Sequence, residues 1–220
     1  ARPYNVPVTL KMRTGWCDTR KNAVLLARQF EDVGIQMLTV HGRTREQGYK
    51  GFAEYDTIAA VKQAVKVPVV ANGDVNSPEK ARDVLAYTGA DAIMVGRAAQ
   101  GRPWIFREIA HFLATGEHLA PPLVAELRRL LLEHLQDHYS LYGEGVGVRS
   151  ARKHIAWYLR ALPGGEEFRK HINTIEDCAV QWQAVADYLD ALGQQMERIP
   201  VATAAAEASS ELDEPAEMAA

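Results

Sequence analysis

Short apolar runs alternate with amphipathic stretches through roughly the first hundred residues. The apolar runs are β-rich and lie at 8–13, 36–41, 67–71 and 92–95. The stretches between them repeat apolar side chains at helical spacing, over 22–33, 55–65 and 78–87. Pro78 and Gly89 stand where helices favour a proline just inside the start and a glycine just past the end. The alternation predicts four βα units on a buried parallel sheet.

These units recur about every 30 residues, the period of an eightfold (β/α)8 barrel of about 250 residues. Four units make half of such a barrel, and a half-barrel alone would expose sheet edges and one apolar face. We therefore expect residues 1–119 to be the C-terminal half of a TIM barrel. The chain would then be the later part of a longer protein, or would pair with another half, such as a second copy of itself. A small open α/β sheet is the alternative.

The pattern changes after Pro121 and Pro122. Helical periodicity covers 123–142 and 148–162, with the glycine-rich residues 143–147 predicted as a loop, and it continues over 166–175 and 175–192. We predict an all-α helical bundle domain at 120–192. Residues 193–220 are rich in Ala, Glu and Ser, and we predict that they form a disordered acidic tail.

Composition narrows the class of protein without identifying it. The 220 residues are 47% apolar and 24% charged, with a formal net charge of −3. Five acidic residues lie in the last twenty positions, which leaves 25 basic and 23 acidic residues in the rest of the chain. This balance is far from the strong basicity of a typical nucleic-acid-binding protein, so any basic surface must be local. No apolar run has the length of a membrane-spanning helix, and we expect no membrane partner. Cys17 and Cys178 fit neither a disulfide framework nor a metal-ligand spacing, so we expect no metal site and a cytoplasmic location.

Two strand-end turns carry residues typical of a phosphate site. One strand runs into Asn72-Gly73-Asp74, and the next runs into Gly96-Arg97. A glycine lets backbone N–H groups approach a ligand closely, and an arginine offers a charged fork that suits phosphate. In (β/α)8 barrels, phosphate is often bound by the loops after the last two strands. The turns therefore predict a phosphate site, with a pair of ordinary structural turns as the alternative.

Lys11 lies inside the first strand and His41 ends the second. Since buried lysines are rare, Lys11 either pairs with a carboxylate or presents a cation to an electron-rich cofactor or a developing anion. His41 is followed by Gly42, Arg43 and Arg45, which makes it a better site candidate than a lone structural histidine. Cys17 has no partner histidine at a meaningful spacing, so we assign it no catalytic role.

A basic stripe is predicted on one later helix, whose opposite face is apolar. The stripe consists of Arg149, Arg152, Lys153 and Arg160. No acidic residue occurs between Glu144 and Glu166. Such a stripe is either a solvated face or a surface for a polyanion.

Five segments together resemble the tRNA-dihydrouridine synthases, most of all the bacterial B-type subgroup. The segments are 8–16 (VTLKMRTGW), 41–45 (HGRTR), 70–74 (VANGD), 96–106 (GRAAQGRPWIF) and 149–158 (RSARKHIAWY), and the resemblance spans about residues 7–192. It implies an FMN-dependent oxidoreductase that reduces uridines of tRNA to 5,6-dihydrouridine with NADPH.

By this resemblance, residues 1–119 hold the flavin and catalyse the reaction, and residues 120–192 bind tRNA. Flavin contacts are implied for Lys11, His41, Asn72, Gly73, Asp74, Gly96 and Arg97. Contacts with tRNA are implied for Arg43, Arg45, Arg149, Arg152 and Lys153. In this chemistry the target base leaves its stack, a hydride reaches C6 of the uracil, and a general acid protonates C5.

The family's flavin loop after its first strand, and its acid cysteine, have no counterpart among these residues. We therefore assign no catalytic acid, and we expect the chain alone to be inactive and to bind flavin weakly. Two other functions remain open. One is a different FMN- or phosphate-binding barrel oxidoreductase acting on a free pyrimidine, and the other is a non-catalytic tRNA-binding module.

Overall fold

A parallel four-stranded sheet lies at the centre of the first part of the chain. The computed structural model describes residue 4 and residues 6–201. The strands are β1 (Thr9–Arg13), β2 (Met37–His41), β3 (Val69–Asn72) and β4 (Ala92–Met94), and they pair in that order. The helices between and after them are α1 (Ala23–Asp32), α2 (Asp56–Ala64), α3 (Pro78–Thr88) and α4 (Ile105–Thr115). This order confirms the predicted α/β alternation.

The two faces of the sheet differ because successive strand side chains point to opposite sides. Leu38, Val40 and Val69 lie on the face covered by helices, are fully buried, and pack with Ile58 and Val61 of α2. The alternate positions of the strands carry Lys11, Arg13, Thr39, His41 and Asn72. The apolar face thus builds the core, while the other face presents polar side chains.

Local signals fix the ends of α3 as predicted. The hydroxyl of Ser77 accepts a hydrogen bond from the backbone N–H of Lys80 at 3.1 Å, and Pro78 follows as the first helical residue. Gly89 takes the left-handed conformation at φ 66° and donates to the carbonyl of Leu85, which closes the helix.

The chain divides into two compact units. The sheet unit runs to Ala99 and includes Ile105–His118, and the helical unit combines Gln100–Trp104 with the chain from Leu119 onward. Trp104 belongs to the buried core of the helical unit, where its ring lies 6.3 Å from that of Tyr158. The helical unit is therefore discontinuous in sequence, which the predicted division at residue 119 did not anticipate.

The helical unit consists of α5 (Val124–Leu159), α6 (Gly165–Ile172) and α7 (Cys178–Gln195). Helix α5 is broken at Gly143, which has φ 71° and ψ 172°. Its halves turn back on each other, since the ring of His138 reaches the hydroxyl of Ser150 at 2.7 Å. The predicted loop over residues 143–147 is wrong beyond Gly143. One positive-φ glycine suffices for the turn, and Gly147 lies in the helix against Tyr139.

The predicted disorder from residue 193 is also wrong at its beginning. Helix α7 continues to Gln195, and Met196 and Ile199 pack against the helical core. The carbonyl of Glu197 accepts from the N–H of Val124 at 2.9 Å, within an antiparallel bridge between Leu123 and Arg198. These hydrogen bonds tie the segment down. The rest of the predicted tail, 202–220, lies outside the described residues. Among those described, no helix has the length and apolarity to cross a membrane.

Candidate functional site

Polar side chains meet at the carboxyl ends of the strands. Arg13, His41 and Asn72 occupy the last aligned row of β1, β2 and β3, and Lys11 stands opposite Thr39 in a preceding row. All of these positions belong to the face that does not carry the apolar core. Parallel strands bring residues distant in sequence together in this way. The sheet thus brings together the predicted residues Lys11, His41 and Asn72.

The turn after β3 is held in a conformation that few residues adopt. Gly73 has φ 124° and Asp74 has φ 49°, two consecutive left-handed values of which the second is unusual for a residue other than glycine. The hydroxyl of Tyr55 donates to the carbonyl of Gly73 at 2.8 Å, and the amide of Asn72 donates to the carbonyl of Met94 at 2.9 Å. A Cβ at position 73 would lie 2.6 Å from that of Ala53, so glycine is required there.

Arg43 and Asp74 form a buried, bidentate ion pair. The two terminal nitrogens of Arg43 lie 2.8 and 2.9 Å from the carboxylate oxygens, and the backbone N–H of Ala53 donates to the same carboxylate at 2.7 Å. Arg43 also donates to the carbonyls of Gly51 at 2.6 Å and Lys50 at 3.3 Å. These hydrogen bonds fix the carboxylate of Asp74, and the guanidinium of Arg43 balances its negative charge without any ligand.

The expected tRNA contact of Arg43 does not fit this arrangement. The residue is only 2% exposed. Its remaining terminal N–H group faces the ring nitrogen Nε2 of His41, which lies 3.5 Å from Nη1. A guanidinium has five N–H donors, and here four of them have oxygen acceptors inside the sheet unit while the fifth faces the ring of His41. The fold brings Asp74 next to Arg43, and their ion pair stabilises the turn after β3 from inside the sheet unit.

Three side chains extend this network towards solvent. Arg97 lies 3.9 Å from the carboxylate of Asp74 and 5.0 Å from the ring centroid of Tyr49. Arg13 approaches the same ring at 5.8 Å and donates to the carbonyls of Thr44 and Gly48, each at 2.8 Å. Beside Arg97, a Cβ added to Gly96 would meet open space. This turn therefore leaves room for a ligand at its backbone.

The site has a positive electrostatic character. Burial is the main cause that lowers the pKa of His41 from 6.5 to about 4, and the charges of Arg13, Lys11 and Arg43 add to the shift. Partial desolvation of its ammonium group, and then the charge of Arg13, lower the pKa of Lys11. Lys11 is exposed, and among the described residues no carboxylate pairs with it, so the predicted alternative of an ion pair does not apply. A neutral imidazole among excess cations favours an anionic ligand.

Loops at the same ends of the strands expose further side chains. Arg45 is exposed, and its backbone N–H donates to the carbonyl of Gly15 at 2.9 Å. Trp16 is 62% exposed and Phe52 is 85% exposed. Exposed aromatic rings beside basic groups can stack on unpaired bases. Cys17, in the first of these loops, hydrogen-bonds to the hydroxyl of Thr19, the largest cause of its lowered pKa.

The predicted basic stripe of the helical unit is divided in the structure. Arg149 and Lys153 are exposed, with the Nε of Arg149 donating to the carbonyl of Gly145 and the ammonium of Lys153 lying 5.8 Å from the ring of Trp157. Arg152 instead points inward. Its terminal nitrogen donates to the carbonyl of Ile175 at 2.9 Å, and its buried Nε has no hydrogen-bond partner in the described structure. Arg152 thus links α5 to the segment between α6 and α7.

Some site residues were missed from the sequence. Arg13 stands at a strand end like His41 and Asn72, and this position was the signal that could have assigned it to the site. Tyr49 and Tyr55 carried no local signal, since their roles depend on the folding of the loops around them. In the helical unit, His134, His138 and His154 place nitrogens within 4.8 Å of one another. The four-residue spacing of the first two was visible in the sequence.

Comparison with known proteins agrees with this geometry. The family model "Dihydrouridine synthase (Dus)" matches residues 1–194. The tRNA-dihydrouridine synthase B of Pectobacterium carotovorum is 56% identical over 191 residues, covering 87% of this chain and 60% of the relative. The proteins of the same name from Pseudomonas putida and Shewanella oneidensis are 56% and 59% identical, covering 88% and 86% of this chain and 57% and 59% of their own lengths.

The chain spans about three fifths of the length of these relatives. The match covers both the strand-end residues of the sheet unit and the helices of the second unit. From this match, the chain belongs to the dihydrouridine synthase family.

Proposed function

We propose that this chain provides the phosphate side of an FMN site and a tRNA-binding helical unit for the reduction of uridine to 5,6-dihydrouridine in tRNA. The observation that carries the proposal is the cluster of Lys11, Arg13, His41 and Arg97 around the turn at Gly73. This cluster holds an excess of positive charge beside backbone that a ligand can reach. The names of the relatives supply the substrate, and tRNA as substrate also favours a cytoplasmic location and disfavours a free pyrimidine.

The residues present fit the phosphate of FMN. Gly96 has open space where a side chain would stand, and Arg97 beside it offers guanidinium donors. Asn72, Gly73 and Asp74 present the neighbouring turn, whose carboxylate is already paired with Arg43 and so repels an anion less. We propose that these two turns hold the phosphate. The exposed ammonium of Lys11 and the imidazole of His41 are then left for the flavin ring.

The protein's own groups support the reaction through charge and position. When bound, FMN reduced by NADPH supplies the hydride for C6 of the uracil. Lys11 places a positive charge where negative charge gathers at the ring edge, which stabilises that charge without reorganisation. His41 is neutral near pH 7, so its imidazole both donates and accepts hydrogen bonds and adds no charge.

We propose that tRNA is contacted by Arg45 in the sheet unit and by Arg149 and Lys153 in the helical unit. All three side chains are exposed. The segment around Arg149 and Lys153 has no acidic residue to offset their charge between Glu144 and Glu166. Phosphate contacts of this kind release counterions and make binding depend on salt. We assign Arg152 a structural role that positions this surface.

We also propose that the sheet unit is half of a (β/α)8 barrel that needs a further part to catalyse. In the described residues β1 and β4 each pair on one side only, and Val8 and Met94 at these edges are 42% and 36% exposed. Unpaired strand edges favour the addition of further strands. The chain alone is then expected to bind FMN weakly and to leave tRNA unchanged.

One experiment tests the proposal in two steps. The chain is mixed with FMN and desalted, alone and after fusion to the part of the Pseudomonas putida relative that it does not match, and the visible flavin spectrum is recorded. Both proteins are then assayed for dihydrouridine with tRNA and NADPH. We expect the fusion to retain flavin and to be active, and Lys11→Met or Arg97→Ala to reduce both properties. Arg28→Ala, which changes an exposed arginine of α1, is the control.

Each alternative outcome has a definite meaning. A folded fusion that binds tRNA but no flavin would favour a non-catalytic RNA-binding module. Flavin retention with reduction of free uracil but not of tRNA would favour a different pyrimidine oxidoreductase. Dihydrouridine made by the 220-residue chain alone would refute the need for a further part.

A further inference from the structure

Three histidines meet inside the helical unit, beside Lys153 of the basic surface. His134 and His138 are one helical turn apart on the first half of α5, and His154 comes from the second half, beyond the break at Gly143. Ring centroids of His154 lie 5.0 Å from His134 and 5.1 Å from His138. One ring nitrogen from each residue lies within 4.8 Å of the other two.

We propose that His134, His138 and His154 bind one divalent transition-metal ion, for which Zn²⁺ is the natural probe. Histidines four residues apart on a helix lie on one face and form a bidentate pair for zinc. Imidazole suits Zn²⁺ and its neighbours in the first transition series better than Mg²⁺ or Ca²⁺. Three protein ligands leave a fourth tetrahedral position for water. The predicted lack of a metal site rested on the cysteines and did not consider these histidines.

The distances suit an ion with a small adjustment. Zinc–nitrogen bonds of about 2.0–2.1 Å in a tetrahedral site place ligand nitrogens about 3.3 Å apart. The nitrogens of the cluster therefore need to move together by about 1.5 Å, which side-chain rotation on two neighbouring helical segments provides. His134 and His154 are half-buried, so a hydrated ion has access to the cluster from one side.

A hydrogen bond behind His138 orients it as in known metal sites. The hydroxyl of Ser150 donates to the carbonyl of Val146 at 2.7 Å, so its oxygen is left to accept from Nε2 of His138, also at 2.7 Å. The proton then resides on Nε2, and Nδ1 of His138 keeps its lone pair. Histidine ligands almost always donate their second ring N–H in this way, and the bond fixes their orientation.

Burial, and then neighbouring positive charge, disfavours the protonated forms of His138 and His154. Burial is the main cause that lowers the pKa of His154 to about 4, and it also lowers the pKa of His138. The ammonium of Lys153 contributes to both shifts and is the cation that an incoming metal ion meets. This ammonium lies 5.8 Å from the centroid of the Trp157 ring.

A bound ion would connect the two halves of α5. Two ligands precede Gly143 and one follows it, so the ion closes the hairpin opposite its turn. Binding only to the folded chain raises the free energy of unfolding by mass action. We therefore assign the metal a stabilising role in the helical unit, independent of the flavin chemistry proposed for the sheet unit.

The test uses the full 220-residue chain without an affinity tag. Zn²⁺ is titrated by calorimetry against a competing chelator, and Co²⁺ is followed by the visible absorption bands of tetrahedral cobalt. We expect one ion per chain. His134→Gln and His154→Gln are each expected to weaken Zn²⁺ binding by at least about tenfold. Loss of a residue that only hydrogen-bonds to a ligand already weakens binding by about that factor, so loss of a ligand should cost at least as much. His171→Gln, at an exposed histidine of α6, is the matched control and should bind as the parent does.

A second variant keeps the test decisive if a ligand change disturbs folding. Ser150→Ala leaves all three imidazoles in place and is expected to weaken Zn²⁺ binding by about 10–100-fold. Thermal unfolding should shift upward with Zn²⁺ in the parent and in His171→Gln, and not in His134→Gln. The proposal is overturned if the folded parent binds no ion, or if binding persists unchanged in His134→Gln and His154→Gln. In that case the three rings only pack against each other.

Discussion

Basic side chains are held in opposite ways in the two units. In the sheet unit, Arg13 and Arg43 direct their donors at backbone carbonyls and at Asp74, which fixes them in place. In the helical unit, Arg149 and Lys153 are exposed, with one carbonyl and one ring as their neighbours. A fixed arrangement suits one small anion of defined shape. An exposed arrangement with few partners suits a polyanion, whose phosphates attract basic side chains through charge.

The largest expected effect comes from breaking the fixed arrangement. Arg43→Ala leaves the largely buried carboxylate of Asp74 with the backbone N–H of Ala53 and the more distant Arg97, and should lower the free energy of unfolding of the sheet unit by about 3 kcal/mol. Urea denaturation followed by circular dichroism measures the change. Adding Asp74→Asn removes the unpaired charge and should recover part of the loss. Arg82→Ala, at an exposed arginine, should cost under about 0.5 kcal/mol, and a similarly small cost for Arg43→Ala would refute the pair's structural role.

A smaller effect is expected from acidification of the same site. The pKa of His41 is about 4 in the folded chain against 6.5 unfolded, so below about pH 6.5 the unfolded chain binds more protons. The stability contributed by the neutral ring is present above this pH and lost as the pH falls towards 4. Between about pH 7 and about pH 4.5 the loss should be about 2 kcal/mol.

His41→Asn isolates this contribution. The free energy of unfolding of this variant and of the parent is measured in urea at both pH values. The decrease from the higher to the lower pH should be smaller in the variant than in the parent, by about 2 kcal/mol. His171→Asn, at an exposed histidine, should follow the parent. Equal pH dependence in all three chains would show that His41 is not held neutral by the fold.

Removing the charges of the exposed arrangement should weaken tRNA binding without lowering the stability of the helical unit. Arg149→Ala with Lys153→Ala is expected to weaken tRNA binding by about tenfold and to reduce the slope of log affinity against log salt by about 1.5–2. Fluorescence anisotropy over a salt series measures both. Arg129→Ala is the control, because this exposed arginine of α5 is already paired with Glu133 at 2.8 Å. An unchanged salt slope in the double variant would exclude these residues from the tRNA contact.

The smallest expected effect separates two glycines of α5. Gly145 lies within the helix and a Cβ there meets nothing, so Gly145→Ala should raise the free energy of unfolding by about 0.5–1 kcal/mol. Gly143→Ala should lower it by a similar amount or more, because φ is 71° at that position. Thermal unfolding of the two variants compares them. If both variants changed the free energy of unfolding in the same direction, the turn would not be at Gly143.

Sequence patterns predicted the elements of the sheet unit because the information is local. Short apolar runs define the strands, and the boundaries of α3 follow from Ser77, Pro78 and Gly89 within that segment. The convergence of Lys11, His41 and Asn72 followed from one rule, that parallel strands end at one edge. For these features the structure adds distances, but the residues that lie together are those that the sequence predicted.

Other features depend on contacts that no local pattern contains. Arg43 looked like a surface cation because its partner Asp74 is 31 residues away. Three glycines suggested a flexible loop, whereas only Gly143 uses its freedom at the turn. His154 joins His134 and His138 only once the hairpin has closed, so a spacing rule within one helix finds two of the three.

The short segment Gln100–Trp104 has a consequence for how such a protein can be recombined. It belongs to the helical unit, yet the following residues Ile105–His118 return to the sheet unit. A side chain at Gly101 would come within 2.3 Å of the carbonyl of Trp157, so the segment fits this bundle closely. A single genetic crossover near residue 118 would transfer a bundle without its own Trp104 and Gly101. Exchange of either unit therefore requires two coordinated changes, and we expect the two units to be inherited together.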